Sequence, residues 1–276
     1  MNIRKNLKMD KKLIITIPHY NNPEGLIQSI KSINESFKID IIITDDGSKI
    51  KLDEKLIRSV FKNEGNIYFE YLNNNYGVGI AANKCLEFVK NHNYNYAARL
   101  DAGDICYKNK YLKQINFLKK NNKIKLVGTW ARALDDNKIL KFYIKHPTEH
   151  NIIKRKMYLN CMFVNPTVVF DTSILKTIPE YPIKYKDAAQ DYAFFFNVIK
   201  NYECANLPEV LLDYVINDSS ISSQKRKLQV KNRIKIILDN FKPGFYPLYG
   251  LIRNFILYFF SRKATTMLKR ISSREE

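Results

Sequence analysis

The stretch Ile39-Asp-Ile-Ile-Ile-Thr-Asp-Asp-Gly-Ser48 carries the first decision about the fold. An isoleucine-rich run, Ile39 to Thr44, stops at Asp45-Asp46-Gly47-Ser48, a strong turn signal. A short β-branched run bounded in this way is a buried strand. Upstream, Leu13 to Ile17 is a similar run halted by Pro18, and Leu26, Ile30 and Ile33 between the two fall at helical spacing. Downstream, Leu52, Leu56, Ile57, Val60 and Phe61 read as a helix and Ile67 to Leu72 as a third strand. Val78 to Lys90 then places Val78, Ala81, Ala82, Cys85, Leu86 and Val89 on one helical face, and Tyr96 to Leu100 is a fourth strand. The order β-α-β-α-β-α-β predicts an α/β fold, a mostly parallel sheet flanked by helices.

In such sheets ligands bind beyond the carboxyl ends of the strands. That rule selects Pro18-His19-Tyr20-Asn21, Asp45-Asp46-Gly47, Asn73 to Gly77, and Asp101-Ala102-Gly103-Asp104. Together they make a polar, acidic crevice, suited to a divalent cation or to sugar hydroxyls and repellent to bare phosphate. After residue 107 the pattern becomes mixed. It predicts a helix to about Asn121, strands near 125–134 and 139–143, a helix near 149–158, a strand at 166–170 and a helix over Ala188 to Lys200 with Asp191 in its first turn.

The 276 residues are 45% hydrophobic, enough for one large domain with an appendage or for two small ones. Cys85, Cys106, Cys161 and Cys204 form no CxxC pair and no signal peptide precedes the first strand, which predicts reduced cysteines in a cytosolic protein without zinc. The formal charge is +19, but residues 223–276 carry +10 of it and residues 1–12 another +4. The excess is therefore a property of the termini. No helix-turn-helix, zinc or RNA-binding signature accompanies it, which argues against nucleic acid as a partner.

Read in order, the segments resemble the family 2 inverting glycosyltransferases of GT-A fold, of the bacterial surface-polysaccharide type. The resemblance rests on Ile-Thr-Ile-Pro-His-Tyr-Asn-Asn (15–22), Ile-Ile-Thr-Asp-Asp-Gly-Ser (42–48), Asn75 to Asn83, and Arg99-Leu-Asp-Ala-Gly-Asp104. It continues through Phe163 to Phe170, Ala189-Gln-Asp-Tyr192, Leu212-Asp-Tyr214 and Ser220-Ile-Ser222, and so covers about residues 12–225. Each motif is weak alone; order and spacing carry the case. The resemblance implies a GT-A, Rossmann-like catalytic domain over 1–222, with a nucleotide-binding half at about 12–107 and an acceptor half at about 108–222.

It further implies a nucleotide-sugar donor, UDP-linked by family habit, held by Pro18, Tyr20, Asp45, Asp46, Asn75, Gly77, Asn83, Arg99 and Asp101. The acceptor would be a glycan or a lipid-linked glycan in cell-surface polysaccharide synthesis. Asp45 and Asp46 would read the nucleobase; in isolation they are equally an Asp-Gly turn with an Asx cap. The family usually shows Asp-x-Asp in the cation loop. Here Gly103 takes the third position, so Asp101 and Asp104 are the candidate ligands for Mn²⁺ or Mg²⁺, which would neutralise the diphosphate leaving group. The alternative for the acids of this loop is an N-cap for the helix that follows. Asp191 matches the family's general base, although a first-turn aspartate is also what a helix dipole favours, and its neighbour is Gln190 where Glu is common. His19 and His146 are open to either a binding or a structural part.

Two rival readings concern the glycine loop and the tail. Gly77-Val-Gly-Ile-Ala-Ala82 matches a dinucleotide fingerprint with Asp101 roughly 20 residues on, as in an NAD(P)-dependent oxidoreductase. It follows the third strand rather than the first and leaves Asp45, Asp46 and Asp104 without a part. Residues 223–276 read as a basic, aromatic helical tail whose apolar run from Phe245 to Phe260 is too short to span a bilayer. This predicts a peripheral contact with an anionic membrane at its cytoplasmic face; packing on the catalytic domain or a dimer seam would suit the same residues.

Overall fold

A computed structural model describes residues 13–216 and 225–259; the basic residues 1–12, the Ser220-Ile-Ser222 motif and residues 260–276 lie outside the described residues. The first half follows the expected alternation: β1 (Leu13–His19), α1 (Pro23–Ser32), β2 (Ile39–Asp45), α2 (Glu54–Val60), β3 (Ile67–Tyr71), α3 (Val78–Asn91) and β4 (Tyr96–Arg99). Strands β3, β2, β1 and β4 lie side by side and parallel, in that order. The two-residue period of the strands divides the core between two faces. Ile14, Ile42 and Ala97 meet Ala82, Leu86 and Val89 of α3 on one face. Leu13, Ile15, Ile17, Ile41 and Ile43 meet Leu26, Ile30 and Ile57 of α1 and α2 on the other.

The second half extends the same sheet. After β5 (Ile105–Cys106) and α4 (Lys110–Lys120) come β6 (Ile124–Leu134), β7 (Leu140–Ile144), α5 (His150–Lys156), β8 (Val169–Asp171), α6 (Gln190–Asn201) and β9 (Glu203–Val215). The sheet order is β3-β2-β1-β4-β8-β6-β9-β5, with β7 paired to β6. The expected strand at 166–170 begins later, because Asn165–Thr167 forms a 3₁₀ turn entered through Pro166. Strand β9 is the element that periodicity missed. Pro208 and Glu209 interrupt it, and the pairing with β6 steps from Thr129↔Leu207 to Trp130↔Val210, so these two residues form a bulge where a missing N–H does no harm. Helix α4 is capped neither by Asp101 nor by Asp104: Glu35, from the α1–β2 loop, accepts the N–H groups of Tyr111 and Leu112 at 2.7 and 3.1 Å.

Two further helices follow, α7 (Arg226–Asp239) and α8 (Phe245–Phe259). They pack against the preceding elements. Asn232 donates to the Ala188 carbonyl, Tyr158 Oη to the Asn240 carbonyl, and Arg253 to the Leu159 carbonyl, at 2.9, 2.8 and 2.8 Å. Gly250 brings α8 close to the 156–160 turn: a Cβ there would stand 2.1 Å from the Tyr158 carbonyl oxygen. Gly250→Val should therefore overpack this seam by about 1–3 kcal/mol, seen as a thermal midpoint lower by roughly 2–4 °C per kcal/mol.

Candidate active site

The parallel register of β1 and β2 ends at the pair His19↔Asp45, so both chains deliver polar residues to one edge. His19 is sealed there. Its Nδ1 lies 2.7 Å from Asp45 Oδ2, and its Nε2 accepts the Asn22 N–H at 3.1 Å, so His19 orders the loop from inside. Asp45 also accepts from the Ser48 N–H and hydroxyl at 2.8 and 2.7 Å, which makes the Asp-Gly turn a closed unit. Asp46 accepts the Tyr76 and Gly77 N–H groups, one on each oxygen, both at 2.9 Å. Burial raises its pKa above the ordinary carboxylate value, and the two N–H donors oppose that shift. Each oxygen retains a second acceptor position for a ligand N–H or hydroxyl.

The Gly77 loop has thus turned donors toward a carboxylate of its own chain. Asn75 Oδ1 takes the Gly77 N–H as well, at 3.1 Å, and Gly77 is the N-cap of α3 at φ 96°. A dinucleotide pyrophosphate needs those N–H groups free; the oxidoreductase reading fails here on geometry. Tyr20 is exposed beside the loop, and Pro18 is buried in β1.

Loop 101–104 is fixed by α1. Ser29 Oγ donates to the Asp101 carbonyl and accepts the Gly103 N–H, while Asn22 Nδ2 donates to the Ala102 carbonyl. Gly103 holds φ 112°, a conformation that L side chains rarely adopt, so the loop is shaped around glycine at the position where the family carries an acid. Asp101 remains about one-third exposed, and its Oδ1 receives Arg99 Nε at 2.6 Å from a guanidinium that is itself buried. Asp104 points elsewhere. It is 3% exposed, its Oδ1 accepts the Val215 N–H of β9 at 3.0 Å, and its Oδ2 is buried without a hydrogen-bond partner. Burial, then the nearby Asp101 charge, holds its pKa well above the ordinary carboxylate value. The two carboxylates expected to share a cation are thus committed differently, Asp104 to β9 and Asp101 to Arg99; among the described residues no group of three or more His, Cys, Asp or Glu could hold a metal ion. A cation here fits Asp101 only as the protein half of a site completed by substrate phosphates and water, which is how Mg²⁺ is commonly held.

Asp191 stands in the first turn of α6, half-buried, with Oδ1 accepting the Tyr192 N–H at 2.8 Å. Its pKa is raised, chiefly by burial. The Tyr192 N–H, Arg233 of α7 and Arg99 oppose the rise, and Asp101 adds to it. The base candidate, the cation candidate and Arg99 thus act on one another electrostatically. Tyr181 belongs to the same group: it is buried, and its hydroxyl feels the charges of Arg99, Asp101 and Asp191. Asn83, expected on the donor, instead exchanges two hydrogen bonds with the Tyr181 backbone at 2.7 and 2.9 Å and so latches the 178–189 loop to α3. Tyr181 and Arg233 were invisible in the sequence, since neither sits in a motif or at a periodic position. His146, half-buried after β7, is pushed down to about 4 by desolvation.

A mostly parallel α/β sheet with carboxylates gathered at the strand ends and a second aspartate on a facing helix defines a GT-A glycosyltransferase. The Glycosyl transferase family 2 profile matches residues 14–178, and the chain belongs to that family. An uncharacterized glycosyltransferase of Methanocaldococcus jannaschii is 30% identical over 231 residues, covering 80% of this chain and 77% of that protein. The amylovoran biosynthesis glycosyltransferase AmsE of Erwinia amylovora is 24% identical over 264 residues, with 93% of each chain covered. Among solved structures, TarS 1–349 of S. aureus in complex with UDP-GlcNAc superposes with a TM-score of 0.68 at 18% identity, covering 94% of this chain and 76% of that one. A mannosyltransferase of Pyrobaculum calidifontis in complex with GDP-Man and Mn²⁺ gives 0.60 at 11% identity, covering 95% and 79%. At these identities the structural likenesses establish the fold.

The electrostatics of Asp191 can be read directly. Carbon-detected NMR of labelled aspartate should show its carboxylate titrating above the ordinary range. Arg233→Gln should move it further up, because the substitution removes a charge that favours the ionised form.

Proposed function

We propose that this family 2 enzyme is an inverting glycosyltransferase that moves a hexosyl or N-acetylhexosaminyl group from a nucleotide sugar, UDP-linked, to a hydroxyl of a glycan or lipid-linked glycan in cell-surface polysaccharide synthesis. The observation that carries it is the half-buried carboxylate of Asp191, whose pKa is raised chiefly by burial and which feels the charges of both Asp101 and Arg99. Inversion needs a base on the face opposite the leaving group, and a raised pKa suits it to take a hydroxyl proton near neutral pH. In the transfer, Asp191 accepts the acceptor's proton while the hydroxyl oxygen bonds to the anomeric carbon. The bond from that carbon to the diphosphate breaks, and the nucleoside diphosphate departs with the electron pair. The carbohydrate donor is supported by the UDP-GlcNAc and GDP-Man held by the structural neighbours, and the biosynthetic setting by the amylovoran enzyme.

Asp46, Pro18, Tyr20, Asn75 and Gly77 are the proposed base and ribose side of the donor site, with Asp45 holding their loop. Asp101 is the proposed protein ligand for Mn²⁺ or Mg²⁺, and the neighbour with Mn²⁺ supports that choice. When bound, the cation offsets the charge that develops on the diphosphate. Arg99 orients the Asp101 carboxylate for that contact. The working place of the enzyme is proposed to be the cytoplasmic face of an anionic membrane, where a lipid-linked acceptor would be presented.

Asp191→Asn should leave donor affinity near wild type and lower turnover by roughly 10²–10⁴, because the base acts in the transition state. Near-normal transfer by this variant would place the base elsewhere. Chelator should abolish turnover, with Mn²⁺ or Mg²⁺ restoring it. Asp101→Asn should weaken that rescue at least tenfold in cation concentration while Asp104→Asn leaves it unchanged, a contrast measured by donor turnover against cation titration. Equal loss in both variants would return Asp104 to the cation site.

A further inference from the structure

Helix α8 is amphipathic the wrong way round for a helix that packs on a protein. Its inward face carries Pro247, Gly250 and Asn254, all buried, and Asn254 spends its amide on the Gly250 carbonyl of its own helix at 2.8 Å. Its outward face carries Phe245, Leu248, Tyr249, Ile252, Phe255, Ile256 and Phe259, every one exposed, with Phe245 and Phe259 at 74% and 68%. These seven recur at steps of three and four, which at 3.6 residues per turn confines them to an arc of about 120°. A contiguous apolar stripe of this size on a soluble surface marks an interaction site.

The charge around the stripe selects its occupant. From Asn240 to Arg274 the sequence holds no Asp or Glu, while Lys242, Arg253, Arg262, Lys263, Lys269, Arg270 and Arg274 are basic. The last preceding acid, Asp239, is already paired with Lys184 at 2.6 Å. A second copy of the chain would set two such basic segments against each other, and a basic partner would be repelled. An anionic lipid surface answers both features, since the rings and aliphatic chains enter the headgroup boundary as the cations meet phosphate. The helix has 15 residues and so is about 22 Å long at 1.5 Å per residue, short of the roughly 30 Å bilayer core. Among the described residues no helix is long and apolar enough to cross a membrane. With Arg262 and Lys263 following in the sequence, the apolar run suits the surface plane rather than a span.

We propose that the outward face of α8 seats this protein on an anionic membrane, lying in the interfacial plane, and that its inward face keeps this contact rigid with the rest of the molecule. The rigidity follows from the Arg253 bond to the Leu159 carbonyl and the close approach of Gly250 to Tyr158. Helix α7, in turn, is tied through Asn232 to Ala188, next to the N-cap of the helix that bears Asp191. The membrane plane is thereby held in a fixed relation to the crevice rather than joined to it by a loose tether.

The test uses the full chain and vesicles of phosphatidylcholine, with and without phosphatidylglycerol, in a sedimentation assay. Wild type should pellet with the anionic vesicles only, and less in high salt. Ile252→Glu/Phe255→Glu should reduce the bound fraction at least tenfold with a thermal midpoint close to wild type, because both side chains stand mostly exposed on the outward face. Phe255→Trp supplies a second readout: its added emission should shift to the blue and be quenched by brominated lipid. The proposal is overturned if wild type ignores anionic vesicles, if the double-Glu variant binds them equally well, or if the added emission of the Phe255→Trp variant does not respond. It is also overturned if wild type is a dimer that the double-Glu substitution splits while vesicles bind neither form, since the face is then a seam between copies. None of these readouts depends on sugar transfer, so failure here leaves the proposed reaction standing, and the reverse holds too.

Discussion

The crevice depends on one buried carboxylate and the backbone N–H groups it gathers. Asp46 leaves the end of β2 and gathers the Tyr76 and Gly77 N–H groups, one on each oxygen, fixing the start of α3 against the strand ends. Hydrogen bonds to a charged acceptor contribute about 1.5–3 kcal/mol each. More important than their size is what they position. Helix α3 presents Asn83 to the Tyr181 backbone, and that double bond draws the 178–189 loop over the sheet. The loop carries Tyr181 in among Arg99, Asp101 and Asp191, and it runs directly into the helix whose first turn holds Asp191. The first and second halves of the chain are therefore joined through a series of side-chain-to-backbone hydrogen bonds, starting from a residue whose sequence context says only that a turn follows.

The first half of the fold was legible because each of its elements obeys one period over its whole length. Ile14 and Ile15 alternate between two cores, and Ala82, Leu86 and Val89 recur on one helix face, so pattern and packing agree. Strand β9 was not legible, since Pro208-Glu209 breaks its alternation and only the bulge opposite Thr129 and Trp130 restores the pairing. The site divided in the same way. Motifs pointed to Asp46, Asp101 and Asp191, but spacing alone could not tell a carboxylate at a crevice from one turned inward. Asp104 and Asn83 show that limit: both stand in the right segments, and both serve internal contacts made by residues over a hundred, and nearly a hundred, positions away. Arg233 and Tyr181 were missed for the opposite reason, because long-range packing alone gives them a part.

The aspartates at the strand ends are chemically one group with four fates. Asp45 lies against His19 and Ser48 and acts as a strut. Asp46 is buried but satisfied by N–H donors. Asp101, about one-third exposed and held by Arg99, is the one proposed for a cation. Asp104 is sealed behind it, close to the buried Lys110, whose ammonium burial pushes down to about 8 and whose Nζ finds no hydrogen-bond acceptor. Burial disfavours the ionised form of Asp104. The acid content of the Asp-x-x-Asp loop therefore overstates the charge the crevice presents to a donor.

The same distinction between residue content and placement governs the basic tail. By composition it could have been an appendage with no fixed position, since a net charge of +10 speaks for solvation and repulsion. The structure instead gives its two helices different tasks. Helix α7 buries Val230, Ile236 and Ile237, and its Arg233 opposes the burial-driven rise in the pKa of Asp191, so it is part of the folded body despite lying beyond the profile match at residue 178. Helix α8 uses small and polar residues to approach the body and turns its large apolar ones away. That arrangement forfeits the stabilisation that burying seven large side chains would bring to a free molecule, roughly 1.5–3 kcal/mol for each one fully buried. Folding gains nothing from leaving those side chains in water, so the face is accounted for by a surface that the molecule meets after it has folded.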